Sequence, residues 1–244
     1  TAIIINQVCG SGLRSIVNGY QSLLTNSANF IIAGGQESMT NSIHDQMMKD
    51  GLMDAFNNYH MGVTAENVAA KYNISRQEQD EFALESQQKA NIAINKKKFD
   101  DEIINDDIDE HPRNGITIND LSKLNSVFKE KGTVTPGNSS GINDGAAAVV
   151  LTKRELAEKH NLEILGKIKS WATCGVDPSI MGLGPIPSSN KALEIAKWNI
   201  KDLDLIEINE AFAAQSIAVI KELTIPPEKV NVNGGAIALG HPIG

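Results

Sequence analysis

The chain has 244 residues, 41% of them hydrophobic, a formal net charge of -8 and two cysteines, Cys9 and Cys174. That length can bury one sizeable core, or two packed halves, without disulfide or metal staples, and two distant cysteines with no Cys-x-x-Cys spacing suggest neither a disulfide framework nor a zinc site. The acidic balance argues against nucleic acid or an anionic membrane surface as the main partner, and no apolar stretch approaches the ~20 residues of a membrane span.

In chain order, the apolar run Ala2-Ile3-Ile4-Ile5 feeds the turn Asn6-Gln7-Val8-Cys9-Gly10-Ser11-Gly12. Leu13, Ile16, Val17, Tyr20, Leu23 and Leu24 then follow at helical spacing, so the segment reads as strand, turn, helix. Cys9 is thereby expected at a helix N-terminus, where unpaired backbone N–H groups favour a thiolate and glycines leave room for a substrate. A buried structural cysteine is the alternative. Phe30-Ile31-Ile32-Ala33, closed by Gly34-Gly35, reads as a second strand. Two strands around a helix make a βαβ unit with parallel pairing, and the class is α/β. The first residues read as the inside of a domain and not as a leader, and the cysteine usage fits a reducing, cytoplasmic setting.

From Gln36 to about Gly137 the character changes. This stretch holds His44, Met47, Met48, Met53 and His60, the basic run Lys96-Lys97-Lys98 and the acidic patch Asn105-Asp106-Asp107-Ile108-Asp109-Glu110. The charge runs are expected to be solvated faces. One helix is predicted from Met61 to Asn73, and a second opens with the capping-box pattern Ser75-Arg76-Gln77-Glu78 and carries Phe82 and Leu84 inward. The turn-rich loop Thr133 to Gly145 runs into a predicted strand, Ala146 to Leu151.

Further on, Ile164 to Trp171 reads as a strand and Ser188-Ser189-Asn190 as the cap of a helix reaching about Trp198. Leu205-Ile206-Glu207-Ile208 reads as a strand opening a helix from Ala211 to Glu222, and Val230-Asn231-Val232 as a strand stopped by Asn233-Gly234-Gly235. The recurrence of strand, polar turn and helix predicts an internal duplication. Three polar turns at expected strand ends can converge: Cys9, Asn209-Glu210 and Gly240-His241-Pro242. A cysteine nucleophile needs a base, and acyl transfer needs donors at a developing oxyanion; His241 and Asn209 are the right residue types. Glu210 has the alternative of capping the following helix.

Val8-Cys9-Gly10-Ser11-Gly12, Tyr59-His60-Met61-Gly62, Gly137-Asn138-Ser139-Ser140-Gly141-Ile142-Asn143-Asp144-Gly145, Asn209-Glu210-Ala211-Phe212-Ala213 and Asn233-Gly234-Gly235-Ala236-Ile237-Ala238-Leu239-Gly240-His241-Pro242 resemble the motifs of the thiolase family, its acetyl-CoA acetyltransferases in particular. The resemblance is collinear over essentially the whole chain. It implies a thiolase fold of two similar βαβ-type halves in a layered αβαβα arrangement. Residues 1–37 and 138–152 would form the N-terminal half with the nucleophile. Residues 38–137 would be an inserted loop domain on the CoA-binding side, and 153–244 an incomplete C-terminal half.

The resemblance implies a mechanism as well. Cys9 would take the acyl group from acetyl-CoA while His241 takes its proton; Asn209, through a water, and His241 would hold the enolate of a second acetyl-CoA. The product would be acetoacetyl-CoA with free CoA, and thiolysis the reverse. His60 matches a histidine facing the substrate pocket, Ser140 a residue on the pantetheine arm and Arg113 an arginine at the nucleotide end of CoA. Acetyl-CoA and CoA would be substrate and product, with no permanently bound cofactor or metal, no nucleic acid or membrane partner, and a homodimer or homotetramer as the assembly. Cys174 matches no catalytic position and is expected to be packing.

The family also carries a strand and helix before the nucleophile and a second catalytic cysteine, in a Cys-x-Gly stretch, beyond Gly-His-Pro. Neither is in this sequence, and two loops look short: Ser38-Met39-Thr40 to Met47–Gly51, and Asp101-Glu102-Ile103 to Arg113. The rivals are a degradative thiolase accepting longer 3-ketoacyl chains, a ketoacyl synthase, and a non-catalytic acyl-CoA-binding or scaffold protein.

Overall fold

The computed structural model describes residues 2–40, 47–104 and 108–244. His44 and Asn105-Asp106-Asp107 lie outside the described residues, as do parts of the two short loops. The chain divides into two compact units.

The first unit comprises residues 1–51, 142–171 and 242–244. Helix α1, Ser11–Leu24, packs on strand β1, Phe30–Glu37. Strand β1 pairs with β2, Gly145–Thr152, in an antiparallel ladder running from Phe30↔Thr152 to Glu37↔Gly145. Close approach of helix to sheet needs Gly19, because a Cβ there would fall 2.9 Å from the Leu151 side chain. Helix α5, Arg154–Lys159, follows β2.

The second unit comprises residues 52–141 and 172–241. It holds helices α2 (Met61–Tyr72), α3 (Arg76–Asn95), α4 (Ile118–Ser122), α6 (Pro185–Ala196), α7 (Ala213–Leu223) and α8 (Ala236–Leu239). Its core gathers on α7, where Ala213, Ala214, Ile217 and Ala218 meet Val68, Ala69, Ala83, Leu121 and Leu183. Alanines on the shared faces let the helices approach closely, and each larger aliphatic side chain buried there contributes about 1.5–3 kcal/mol.

The helices follow the sequence closely. Helix α2 stops at Tyr72 because Asn73 adopts the left-handed conformation (φ 52°) of a helix C-cap. Helix α3 opens with the expected reciprocal cap: Glu78 N donates to Ser75 Oγ at 3.1 Å and Ser75 N to Glu78 Oε2 at 2.8 Å. Helix α6 starts earlier than Ser188, at Pro185, a residue pre-shaped for the first helical turn. Lys96, Lys97 and Lys98 are exposed, as are Ile108, Asp109 and Glu110.

The strands differ from expectation. Residues 2–6 form no ladder; Ile3 and Ile4 are 76% and 98% exposed, so the predicted parallel partner of β1 is not laid beside it. Residues 164–171 are likewise outside any strand, and Leu205–Ile208 and Val230–Val232 are reduced to one parallel bridge, Ile206↔Val230. An apolar run becomes a strand only where a neighbour takes up its backbone N–H and C=O groups. Among the described residues only β1 and β2 supply one another that neighbour.

Candidate active site

Cys9 lies in the first unit, in a turn whose geometry is set by its neighbours. Gly10 N donates to Gln7 O at 3.0 Å, Ser11 N and Oγ both donate to Val8 O (3.0 and 2.6 Å), and Gln7 N donates to Ser11 Oγ at 2.9 Å. Arg14 Nε holds the Gln7 side chain at 2.8 Å. These bonds keep Val8 at φ 49°, a conformation that β-branched residues rarely adopt. The effect is to present Cys9, exposed and free, one residue ahead of the Gly10 N-cap of α1. The expected thiolate is not favoured: desolvation by the surrounding chain pushes the thiol above its ordinary value and outweighs the lowering by the Cys9 backbone N–H. The exposure of the side chain limits that rise, but at neutral pH a base is needed to take the proton.

The other candidates belong to the second unit; His241 and Ser140 bond to the segment Asn209-Glu210-Ala211-Phe212, and His60 reaches it through Phe128. Asn209 Nδ2 lies 3.2 Å from His241 Nε2; with the amide as donor, that nitrogen carries the ring's lone pair. Burial pushes the His241 pKa below the usual imidazole value, so the ring is neutral at pH 7. Ser140 donates to the Ala211 carbonyl from both its backbone N (3.0 Å) and its Oγ (3.2 Å). His60 stacks on Phe128 (centroids 4.6 Å, 18°), and Phe128 meets Phe212 edge-on at 6.1 Å.

His60 is also the N-cap of α2, its Nδ1 accepting from Gly62 N at 2.9 Å, and burial lowers its pKa too. Gly62 gives the Phe128 ring its place: a Cβ there would lie 2.2 Å from a ring carbon. Arg113 is not brought to this group. Its side chain is exposed, while its backbone N donates to Gln87 Oε1 at 2.8 Å on α3. Cys174 is a half-buried free thiol.

Several buried acidic residues carry this arrangement, of which the sequence singles out Glu210 alone. Glu66 accepts from Thr133 N and Val134 N, both at 2.8 Å, anchoring the loop that leads to Ser140. Asp80, paired with Arg76 at 2.7 Å, accepts from Asn138 Nδ2 at 2.9 Å. Glu210 is not a cap of α7; it is buried and accepts from Ser86 Oγ (2.6 Å), Asn231 Nδ2 (2.7 Å) and Ile237 N (3.1 Å). The available signal was an acidic residue inside otherwise apolar spacing, which by sequence alone reads equally as a solvated position.

Residues 1–155 match the family model "Thiolase, N-terminal domain" and residues 162–244 match "Thiolase, C-terminal domain". The chain is 51% identical to an acetyl-CoA acetyltransferase of Rhizobium meliloti, over all of this chain and 69% of that protein. It is 51% identical, with the same coverage, to an acetyl-CoA acetyltransferase of Paracoccus denitrificans. The first alignment spans 271 positions, so that relative has internal residues without counterpart here.

Among solved structures, it superposes on human mitochondrial 3-ketoacyl-CoA thiolase in complex with CoA with a TM-score of 0.93 and 42% identity, covering 98% of this chain and 67% of that one. An acetyl-CoA acetyltransferase of Syntrophomonas wolfei gives a TM-score of 0.93 and 36% identity over 100% and 69%.

Proposed function

The chain belongs to the thiolase family, and from that premise we propose that it is an acyltransferase that condenses two acetyl-CoA into acetoacetyl-CoA and free CoA, and runs the reverse thiolysis. The identity to acetyl-CoA acetyltransferases along its whole length supports the reaction. The observation that carries the site reading is the pairing of Asn209 with His241 at 3.2 Å, two polar side chains from distant turns.

In this reading Cys9 Sγ attacks the thioester carbonyl of the first acetyl-CoA. The Sγ–acyl bond forms, the bond to the CoA sulfur breaks, and the Cys9 proton passes by way of His241 to the departing CoA sulfur. The Cys9 backbone N–H faces the oxyanion of that step. A second acetyl-CoA then loses an α proton, a step assigned to the cysteine that the family carries beyond the Gly-His-Pro motif. Asn209, through a water, and His241 hold the resulting enolate oxygen. The enolate carbon attacks the acyl-enzyme carbonyl, and Sγ leaves as thiolate. Burial keeps the resting His241 ring neutral, so it has a lone pair to accept the thiol proton and, in its other tautomer, an N–H to hold the enolate oxygen.

His60 and Ser140 are assigned to the substrate pocket and the pantetheine arm, a role supported by the Ser140 bonds to Ala211 and by the Phe128 ring that links His60 to Phe212. Arg113 is assigned to the nucleotide end of CoA, consistent with an exposed cation. Residues 38–137 are read as an inserted loop domain, since they lie between β1 and β2, which are paired neighbours. A cytoplasmic homodimer or homotetramer is the proposed state, the location resting on the cysteine usage.

The test is an intact-mass spectrum before and after brief exposure to acetyl-CoA. One acetyl group on Cys9, absent in Cys9→Ser, is the expected outcome; an adduct retained in that variant refutes the assignment of Cys9. The likeness to a 3-ketoacyl-CoA thiolase favours a second reading, a degradative enzyme of broader chain length. Thiolysis rates across a 3-ketoacyl-CoA series decide: a steep fall beyond four carbons supports the acetyl-specific enzyme, and a flat profile supports the other.

A further inference from the structure

The geometry points to Glu210 as a positioning residue that, together with Ser86, fixes Asn209 in register with His241. This rests on the assignment of Asn209 and His241 made above.

Along residues 208–210 burial alternates: Ile208 is buried, Asn209 exposed and Glu210 buried. Pinning the two inward positions therefore aims the outward one, as in any extended segment. The Glu210 pin is a carboxylate with three donors. Ser86 Oγ and Ile237 N donate to Oε2 at 2.6 and 3.1 Å, and Asn231 Nδ2 donates to Oε1 at 2.7 Å. The Ile208 pin is its backbone, which Asn231 clamps from both sides: Ile208 N donates to Asn231 Oδ1 and Asn231 Nδ2 to Ile208 O, each at 2.8 Å.

The same network reaches the other half of the catalytic pair. Ile237 is the second residue of the short helix α8, which ends at Leu239, two residues before His241. Gly235 N donates to Ser86 Oγ at 3.1 Å, and a Cβ on Gly235 would fall 2.2 Å from the Glu210 carboxyl carbon. Three segments thus converge on the carboxylate carried by the Asn209 segment: α3 through Ser86, residue 231 through its amide, and the turn that leads to His241 through Ile237. Glutamine cannot replace it. Asn231 is fixed in orientation by its two bonds to Ile208, so an amide NH2 at either end of residue 210 would face a donor. Burial raises the Glu210 pKa, against the lowering by its three donors.

The test is a double-mutant cycle in the intact enzyme: wild type, Glu210→Gln, Asn209→Ala and the double variant. Glu210→Gln is expected to lower kcat for condensation roughly 10²-fold, the scale of a misplaced catalytic group, with the acetyl-CoA KM within about twofold. Because Glu210 acts through Asn209, the double variant is expected to be no slower than Asn209→Ala alone. Multiplying losses overturn the proposal, since a residue serving only stability or folding acts regardless of Asn209. Ser86→Ala, a smaller perturbation, runs through the same cycle should Glu210→Gln fold poorly.

The cycle is also read without turnover, on the His241 ring titration by NMR. Equal shifts in Glu210→Gln and Asn209→Ala, with no further shift in the double variant, support the proposal. A His241 titration moved by Asn209→Ala but not by Glu210→Gln overturns it. The condensation reading fails separately, if the wild type neither acetylates at Cys9 nor turns over; the titration still decides the role of Glu210.

Discussion

Val8 and His241 show how single residues are tuned by their surroundings. A valine at φ 49° costs on the order of 1–3 kcal/mol and persists because the bonds from Ser11, Gly10 and Gln7 over-determine the turn. Burial of His241 holds its pKa below 6.5, so the neutral ring persists on the acid side of that value. Condensation is therefore expected to stay level as pH falls from 7.5 through 6.5 and to decline only in more acid solution. A kcat/KM profile breaking above pH 6.5 would contradict this. The sign is the same for stability. A buried ring with a lowered pKa contributes fully above its unfolded value and loses that contribution as pH falls through the folded one.

Helix α3 is the element on which most of the site depends. It supplies Ser86 to Glu210, Asp80 to Asn138 and Gln87 to the Arg113 backbone. Its N-terminus is tied twice. Ser75 and Glu78 cap each other, and Lys221 of α7 bonds Glu78 at 2.7 Å, which together hold the Glu78 carboxyl down to about 2. Both charged side chains are substantially exposed, so the ion pair is worth no more than about 1 kcal/mol. Ser75→Ala is expected to lower stability by about 1 kcal/mol, read as a shift in the urea midpoint with unchanged slope. Because Glu78 is depressed from 4.5, its contribution is complete above that pH and disappears as pH falls towards 2. Gly62→Ala, which drives a Cβ into Phe128, is expected to destabilise by about 1–3 kcal/mol and to raise the acetyl-CoA KM by releasing the His60 stack. An unchanged KM would detach His60 from substrate binding.

At the scale of the molecule, the first unit leaves apolar side chains uncovered on both strands of its sheet: Ile32 is 79% exposed, Val150 64% and Val149 44%. Ile32 and Val150 are partners across the ladder and share one face; the proposed homo-oligomer would bring a second copy to cover such apolar surface. Light scattering is expected to give a mass of two or four times the 26.3 kDa of this chain. A monomer at micromolar concentration would remove that proposal.

The sequence by itself determined the α/β class, the helices α2 and α7 to within about two residues, the start of α3, and the resemblance that led to Cys9, Asn209 and His241. Those signals are local, residing in capping residues, helical periodicity and glycine-bounded turns, so a linear reading captures them. Tertiary structure alone decided the pairing of β1 with β2, and the failure of residues 2–6, 164–171 and 205–208 to become strands. Strand identity depends on a neighbour that sequence does not name. It also set Cys9 in an exposed turn whose surrounding chain pushes the thiol pKa upward. The same holds for the burial of the three acids Glu66, Asp80 and Glu210. They are buried because backbone N–H and side-chain donors distant in sequence fold onto their carboxylates.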